Sequence, residues 1–221
     1  MAFGLAPEVA TGVLLVGAVC AGNSSNLMTF FAGGMALSVA LTTLSTLLAP
    51  VVTPTLMGLL VGKEVPVEFV ALAGSIGRIV VLPVMGGFLI ERVLRRRQAV
   101  SDRWLPWVVI TTTCFLNGII TANSREALLT IGGTLVLVEL LHNGLGYLVG
   151  YAGARGFGLD RWDAATMAMQ VGIRNGGLAT GLAYDVLKRR NAALASVVFG
   201  TIQNAPGPLV AAFLRGKAAE S

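Results

Sequence analysis

The sequence predicts an all-α polytopic membrane protein of about seven transmembrane helices. Three observations carry that prediction. Of 221 residues, 55% are hydrophobic and only 12% are charged, where a soluble domain carries about 25% charged residues. Mean hydropathy is +0.78, and several apolar stretches reach the roughly 20 residues that a helix needs to cross the hydrocarbon core. The apolar–polar alternation of membrane-barrel strands is absent from the sequence.

In chain order the spans fall at 5–32, 35–61, 67–93, 104–121, 127–154, 162–186 and 191–214. The first is interrupted by AGNSSN, Ala21 to Asn26. The second carries Ser38 and Thr42, four residues apart and so on one helical face. Pro50, Pro54 and Pro83 lie inside or near span ends and are expected to kink them. Trp104, Trp107 and Trp162 fall at span starts, where indoles favour the membrane interface. The fifth span holds Glu139, His142 and the pair Gly146 and Gly150, whose spacing allows close helix approach. The sixth is interrupted by MAMQVGIRNGGLATG, Met167 to Gly181, which sets Gln170, Arg174 and Asn175 among glycines.

The N-terminus MAFGLAPEV has an acid, Glu8, and no basic region, so no cleavable signal peptide is expected. Cys20 and Cys114 sit in apolar runs, where cysteine is a small buried side chain more often than a disulfide or metal ligand. The net charge of +5 favours cytoplasmic loops, and no nucleic-acid-binding signature is visible. Arg92, Arg95, Arg96, Arg97, Arg103, Arg155, Arg161, Arg215 and Lys217 share the face of the C-terminus. Lys63, Arg125, Lys188, Arg189 and Arg190 lie on the other. Nine cations against five place the C-terminus in the cytoplasm.

The polar breaks are the functional signal. An unsatisfied backbone group in lipid costs several kcal/mol, so irregular backbone survives at membrane depth only inside protein or beside a water-filled cavity. Broken helices at matching places of two halves point to a transporter site at the bilayer midplane. Each break here is followed by one further span. Counting back, 67–214 forms a five-span unit, and 1–62 matches only its last two spans. An inverted repeat pairs equal halves, so span counting predicts an incomplete inverted five-helix repeat, short of three N-terminal helices.

At these residues a resemblance becomes specific. GLAPEVATGVLLVGAVCAGNSSNLMTFFAGG and the following MALSVALTTLSTLLAPVVTP resemble the fourth and fifth helices of the bile acid/sodium symporter family. LLHNGLGYLVGY resembles its eighth helix, and QVGIRNGGLATGLA its crossing ninth helix, usually closer to E-V-G-x-Q-N-S-G-L-A. The likeness covers essentially the whole chain. It implies a core domain with two crossed broken helices beside a smaller panel domain, here 1–62 and 127–214 as core and 67–121 as panel. It also implies two sodium sites behind the crossing and a cavity for an organic anion, a bile acid or smaller carboxylate.

On that resemblance Ser25, Asn26, Ser38 and Thr42 fall at the first ion site, with Gln170, Val171, Ile173 and Arg174 contributing from the other break. Asn23, Ser24, Asn175, Gln203 and Asn204 fall at the substrate side. The bland reading of the hydroxyls is hydrogen bonding to helical carbonyls or between helices. Two positions depart from the family. Gln170 stands where a glutamate is usual, which removes a counter-charge from a buried cation. Arg174 stands where glutamine is usual. Its guanidinium repels sodium, and its donors suit the carbonyls that would hold the ion. The expectation is therefore an absent second sodium site and a weak first one. That leaves uniport, exchange, proton coupling, or an arginine that binds the anion directly; the bland alternative for Arg174 is a structural pair with backbone carbonyls.

His142, the only histidine, reads with Asn143 as a packing or gating residue. Glu139, one turn earlier, is expected to pair with Arg78, with a proton-carrying role as the alternative. No H-E-x-x-H and no G-x-S-x-G occurs, so no hydrolase constellation is visible and a non-enzymatic reading is preferred. The leading function is an alternating-access solute carrier for an organic anion, with no cofactor beyond sodium, in a cell membrane. The rivals are a sodium-independent uniporter or exchanger, and an N-terminally truncated fragment that is inactive or needs a partner chain.

Overall fold

The computed structural model describes residues 4–32, 34–61, 68–83 and 125–219, with isolated positions between 85 and 122. Among these the architecture is helical, and the only β-type pairing is one isolated bridge between Ala21 and Arg174. Helix α1 spans Pro7–Ala18, α2 Asn23–Ala32, α3 Met35–Val61 and α4 Phe69–Ile76, which runs on into a π-helical turn at Gly77–Val81. After the partly described stretch come α5 Arg125–Gly156, α6 Arg161–Gly172, α7 Gly176–Asp185, α8 Arg190–Ile202 and α9 Pro206–Ala219.

Local chemistry sets several of these boundaries. Pro7 opens α1, where its missing N–H and fixed φ cost nothing, and Glu8 places a negative charge in the first turn. Asp160 caps α6 by accepting from the Asp163 N–H at 2.8 Å. Asn175 caps α7 by accepting from the Leu178 N–H at 3.0 Å. Pro206 opens α9 and lacks the N–H that would continue α8, so the pair Arg190–Ile202 and Pro206–Gly216 bends by 45°.

The expected spans survive unevenly. The second is the single helix Met35–Val61, continuous through Pro50 and Pro54, and the fifth lies within Arg125–Gly156. The spans expected at 5–32 and 162–186 are each two short helices around an extended break, and 191–214 is a bent pair. The reason is local: Cys20 to Gly22 and Ile173 to Asn175 spend their backbone groups on each other rather than on a helix. Among the described residues, Met35–Val61, Phe69–Gly87 and Gly132–Gly156 are each long and apolar enough to cross a membrane, and the bent pair makes a fourth if it is one span. The expected span 104–121 and the basic run Arg92 to Arg97 lie outside the described residues, apart from isolated positions.

The outward faces are those of a membrane protein. Leu47 and Leu59 of α3 are 64% and 75% exposed, and Leu148 of α5 is 62% exposed. A soluble monomer rarely leaves such contiguous apolar surface in water.

The interior falls into three clusters that the broken helices knit together. The first joins Leu15 and Val16 of α1 to Met57 of α3, Leu72 and Ile76 of α4, Leu182 of α7 and Phe199 of α8. The second joins Met28 of α2 to Tyr147 of α5, Met169 of α6 and Leu214 of α9. The third sets Val9 of α1 against Leu135 of α5 and Leu194 of α8. Thus α1 packs with α7, and α2 with α6: the two broken helices cross, each sending one half to either side. Close approach is enforced by glycine. A Cβ at Gly146 would lie 2.8 Å from the Gly172 Cα, and one at Gly150 2.7 Å from the Met167 carbonyl, so the sequence-predicted pair on α5 seats α6.

Candidate ion and solute site at the helix crossing

The centre of the crossing is backbone. The Gly22 N–H donates to the Ile173 carbonyl and the Asn175 N–H to the Cys20 carbonyl, both at 3.0 Å. These bonds satisfy groups that two interrupted helices would otherwise orphan in an apolar interior. A Cβ at Gly22 would stand 2.6 Å from the Arg174 carbonyl oxygen, so glycine is what lets the strands touch. The arrangement brings together the C-terminal ends of α1 and α6 and the N-terminal ends of α2 and α7. Partial negative and partial positive helix ends therefore face one another at one depth.

Side chains from three elements meet beside the bridge. Gln170 Nε2, from α6, lies 2.6 Å from Ser38 Oγ, 3.0 Å from the Ser38 carbonyl, 3.0 Å from Thr42 Oγ1 and 3.3 Å from Asn26 Oδ1. The Ser38 and Thr42 hydroxyls also reach Asn26 Oδ1, at 2.7 and 2.9 Å. Thr42 Oγ1 lies 3.2 Å from Gln170 Oε1 as well. Ser38, Thr42 and Gln170 are buried. Four oxygens thus surround one amide nitrogen, which has only two protons to give. Thr29, not anticipated from sequence, lies 3.2 Å from Ser38 Oγ. Its signal was the spacing of three and four residues from Asn26 and Ser25.

The other expected ion-site residues go elsewhere. Ser25 turns its hydroxyl back onto the Gly22 carbonyl at 2.7 Å. Val171 faces α5, its carbonyl lying 3.0 Å from where a Cβ on Gly146 would sit. The Ile173 carbonyl is taken up by Gly22. Arg174 sends Nη1 to the carbonyl of Val19, the C-cap of α1, at 3.4 Å, while its Nε is buried without a partner. A fixed cation therefore stands at a carbonyl-rich helix end.

The expected substrate side is likewise rearranged. The Asn175 carbonyl oxygen is committed to capping α7, and its Nδ2 lies 3.9 Å from Cys20 Sγ. Gln203 is buried and clamps the Arg174 backbone from both directions: its Oε1 accepts from the Arg174 N–H at 2.9 Å and its Nε2 donates to the Arg174 carbonyl at 3.1 Å. Asn204 is exposed and donates to the Gly200 carbonyl at 2.8 Å. Asn23 is exposed and Ser24 half-buried at the start of α2. The expected Glu139–Arg78 pair does not form: Arg78 is exposed, and Glu139 lies 3.4 Å from His142 on its own helix.

Two broken helices joined by their backbones within a polar-lined crossing are the layout of a carrier, and the sequence comparison agrees. A sequence model of the Sodium Bile acid symporter family matches residues 1–132. The chain belongs to that family. It is 37% identical over 220 residues to the protein described as uncharacterized sodium-dependent transporter YocS of Bacillus subtilis (strain 168), covering 96% of this chain and 68% of that one. It is 32% identical over 180 residues to the probable sodium/metabolite cotransporter BASS1, chloroplastic, of Arabidopsis thaliana, covering 81% and 45%. Against the rice (Oryza sativa subsp. japonica) BASS2 of the same description it is 30% identical over 220 residues, covering 98% and 52%. The chain thus spans about two thirds of the bacterial relative and about half of the chloroplast ones. The relatives are described as transporters or cotransporters and not as enzymes, and the family and the apolar helices make the chain a multi-pass membrane protein.

The family's ion can be tested against the residues present. Sodium wants several oxygens, and the cluster supplies them, but every one is neutral. The Arg174 guanidinium adds a positive charge at the carbonyl end of α1. As arranged, these residues do not fit a pair of sodium ions.

Proposed function

We propose that this chain is the crossing-helix body of an alternating-access carrier for an organic anion, a bile acid or a smaller carboxylate, whose transport does not depend on sodium. The observation that carries the reading is the Gln170 amide held among Asn26, Ser38 and Thr42 directly beside a crossing that Arg174 braces. In the absence of a carboxylate, bound sodium would sit among neutral oxygens with no counter-charge, which is costly in a buried place. The Arg174 charge takes over the electrostatic task at the α1 carbonyl end. The N-terminal ends of α2 and α7 supply dipoles favourable to a carboxylate, with Asn23 and Ser24 within the same turn. On this reading residues 1–62 and 127–214 belong to the core of an inverted repeat and 67–121 to its panel. The protein sits in the cell membrane with a cytoplasmic C-terminus.

The test is counterflow of a panel of labelled carboxylates in proteoliposomes, with sodium or choline as the only cation. Exchange at equal rates in the two salts is the expected result. A steep sodium dependence with more than one sodium per cycle overturns the sodium-independent reading. No exchange of any carboxylate in either salt overturns the anion-carrier reading.

A further inference from the structure

Glu139 lies midway along α5 with no solvent exposure, and neither carboxyl oxygen has a hydrogen-bond partner. An intramembrane carboxylate left like this is not stable as a bare charge. Its neighbour is His142, one turn on, with Nδ1 3.4 Å from Oε2 and likewise without a hydrogen bond. The His142 side chain is 27% exposed, and its ring rests on Phe199 of α8 with centroids 5.2 Å apart. Its other edge lies against Gly17 of α1, with Nε2 3.3 Å from where a Cβ on that residue would be.

Among the described residues the charged or titratable group recorded against Glu139 is His142. The helices against α5 carry Glu8 on α1, Arg161 and Asp163 on α6, and Arg190 on α8. Asp163 sits at the capped start of α6, and Glu8 is paired with Arg189. Cys20 and Arg174 stand at the crossing, where Arg174 bonds to Val19. On α5 itself Tyr147 follows, its hydroxyl unpartnered.

We propose that Glu139 and His142 form a proton-binding dyad within the membrane, with His142 the more exposed member and Glu139 the inner store. One proton held between the two removes the bare charge, and a small rotation of either side chain closes 3.4 Å to hydrogen-bond length. The dyad is tied to the crossing. Asn143, the next residue, donates to the carbonyl of Gly172, the last residue of α6 before its break, at 2.9 Å. A change of charge at 139 and 142 is thus delivered to the helix that carries Gln170 and leads into the break at Arg174. The proposal does not rest on the identity of the solute or on sodium independence.

His142 is the only histidine, so nitrogen-15 labelling of histidine gives a single titrating residue in the full chain in nanodiscs. The companion readout is the infrared carbonyl stretch of a protonated buried carboxylic acid, recorded across the same pH range. Neither needs a substrate, so the outcome stands apart from the carrier assay. Expected for the native chain is a buried-acid band that titrates together with the histidine signal. Glu139→Gln is expected to abolish that band and to move the histidine midpoint by at least tenfold in proton concentration. A native chain with no buried-acid band, or with band and histidine titrating independently, overturns the proposal without any variant. A band or a histidine midpoint unchanged in folded Glu139→Gln overturns it as well.

Discussion

Ala21 and Arg174 pair as a single antiparallel bridge at the meeting point of two interrupted helices. The contact is one residue wide, yet it fixes where four helix ends lie. It depends on Gly22, where a side chain would strike the Arg174 carbonyl. Substituting Gly22→Ala forces either that oxygen or the whole of α2 to move. Overpacking of this sort costs about 1–3 kcal/mol, and the unfolding midpoint in detergent is expected to fall accordingly. Unchanged thermal stability in Gly22→Ala would mean that the bridge is not maintained in the membrane protein.

The Gln203 side chain braces the same bridge by holding both the N–H and the carbonyl of Arg174. Gln203→Leu leaves the Arg174 N–H unsatisfied, at about 1–3 kcal/mol, while the Arg174 carbonyl keeps only its bond from the Gly176 N–H at 3.0 Å. Gln203→Glu keeps an acceptor for the N–H and loses the donor to the carbonyl, so it is expected to fall between native and Gln203→Leu. The measurement is the ranking of the three by thermal unfolding. Equal stability of Gln203→Leu and native would remove the bracing role.

Much of this arrangement was legible in the sequence, for reasons that can be located. Polar residues among glycines in an apolar run have nowhere to go but inward, so AGNSSN and QVGIRNGG were legible as two buried breaks, and their crossing followed from the family resemblance. Ser38 and Thr42, four apart on one helix, had to share a face, and both reach Asn26. The meeting of Gln170 with these three side chains needed the helix crossing itself. What stayed hidden was the competition for each group once helices packed. Ser25 and Asn175, expected as ligands, each bond a neighbouring backbone group at a helix start. Sequence spacing does not reveal whether such a side chain turns back on its own chain. Val171 faces α5 because Gly146 and Gly150 admit α6 there, a matter of which helix is the neighbour. Glu139 meets His142 rather than Arg78, since a partner one turn away needs no particular tertiary fold.

The Glu8–Arg189 contact offers a contrast with the buried contacts. It links the start of α1 to the residue before α8 at 2.9 Å, with Asn191 adding a second bond at 3.0 Å. Both side chains are about a third exposed, at 38% and 32%, and ion pairs in such settings contribute under about 1 kcal/mol. Arg189→Gln is expected to shift the unfolding midpoint by no more than this at moderate salt. A larger loss would show that the contact is shielded by lipid or by residues outside those described.

The sharpest expectation concerns the two departures from the family pattern. Gln170→Glu places a carboxylate beside Asn26 Oδ1 and the Ser38 carbonyl, which now accept from the amide. Two of those oxygens cannot donate, so the new charge faces repulsion unless a cation enters between them. Arg174→Gln removes the fixed positive charge that would oppose that cation at the α1 end. The double variant is therefore expected to unfold at a lower temperature than native in choline chloride and to recover in sodium chloride. A ligand at a hundred times its dissociation constant stabilises by about 2.7 kcal/mol, which sets the scale of the recovery. The native chain is expected to show no such difference between the two salts. Lithium and potassium series would separate a sodium-sized cage from a general salt effect, which should act on native and variant alike. If the double variant responds to sodium no more than the native chain, then Gln170 and Arg174 are not what sets the cation preference of this protein.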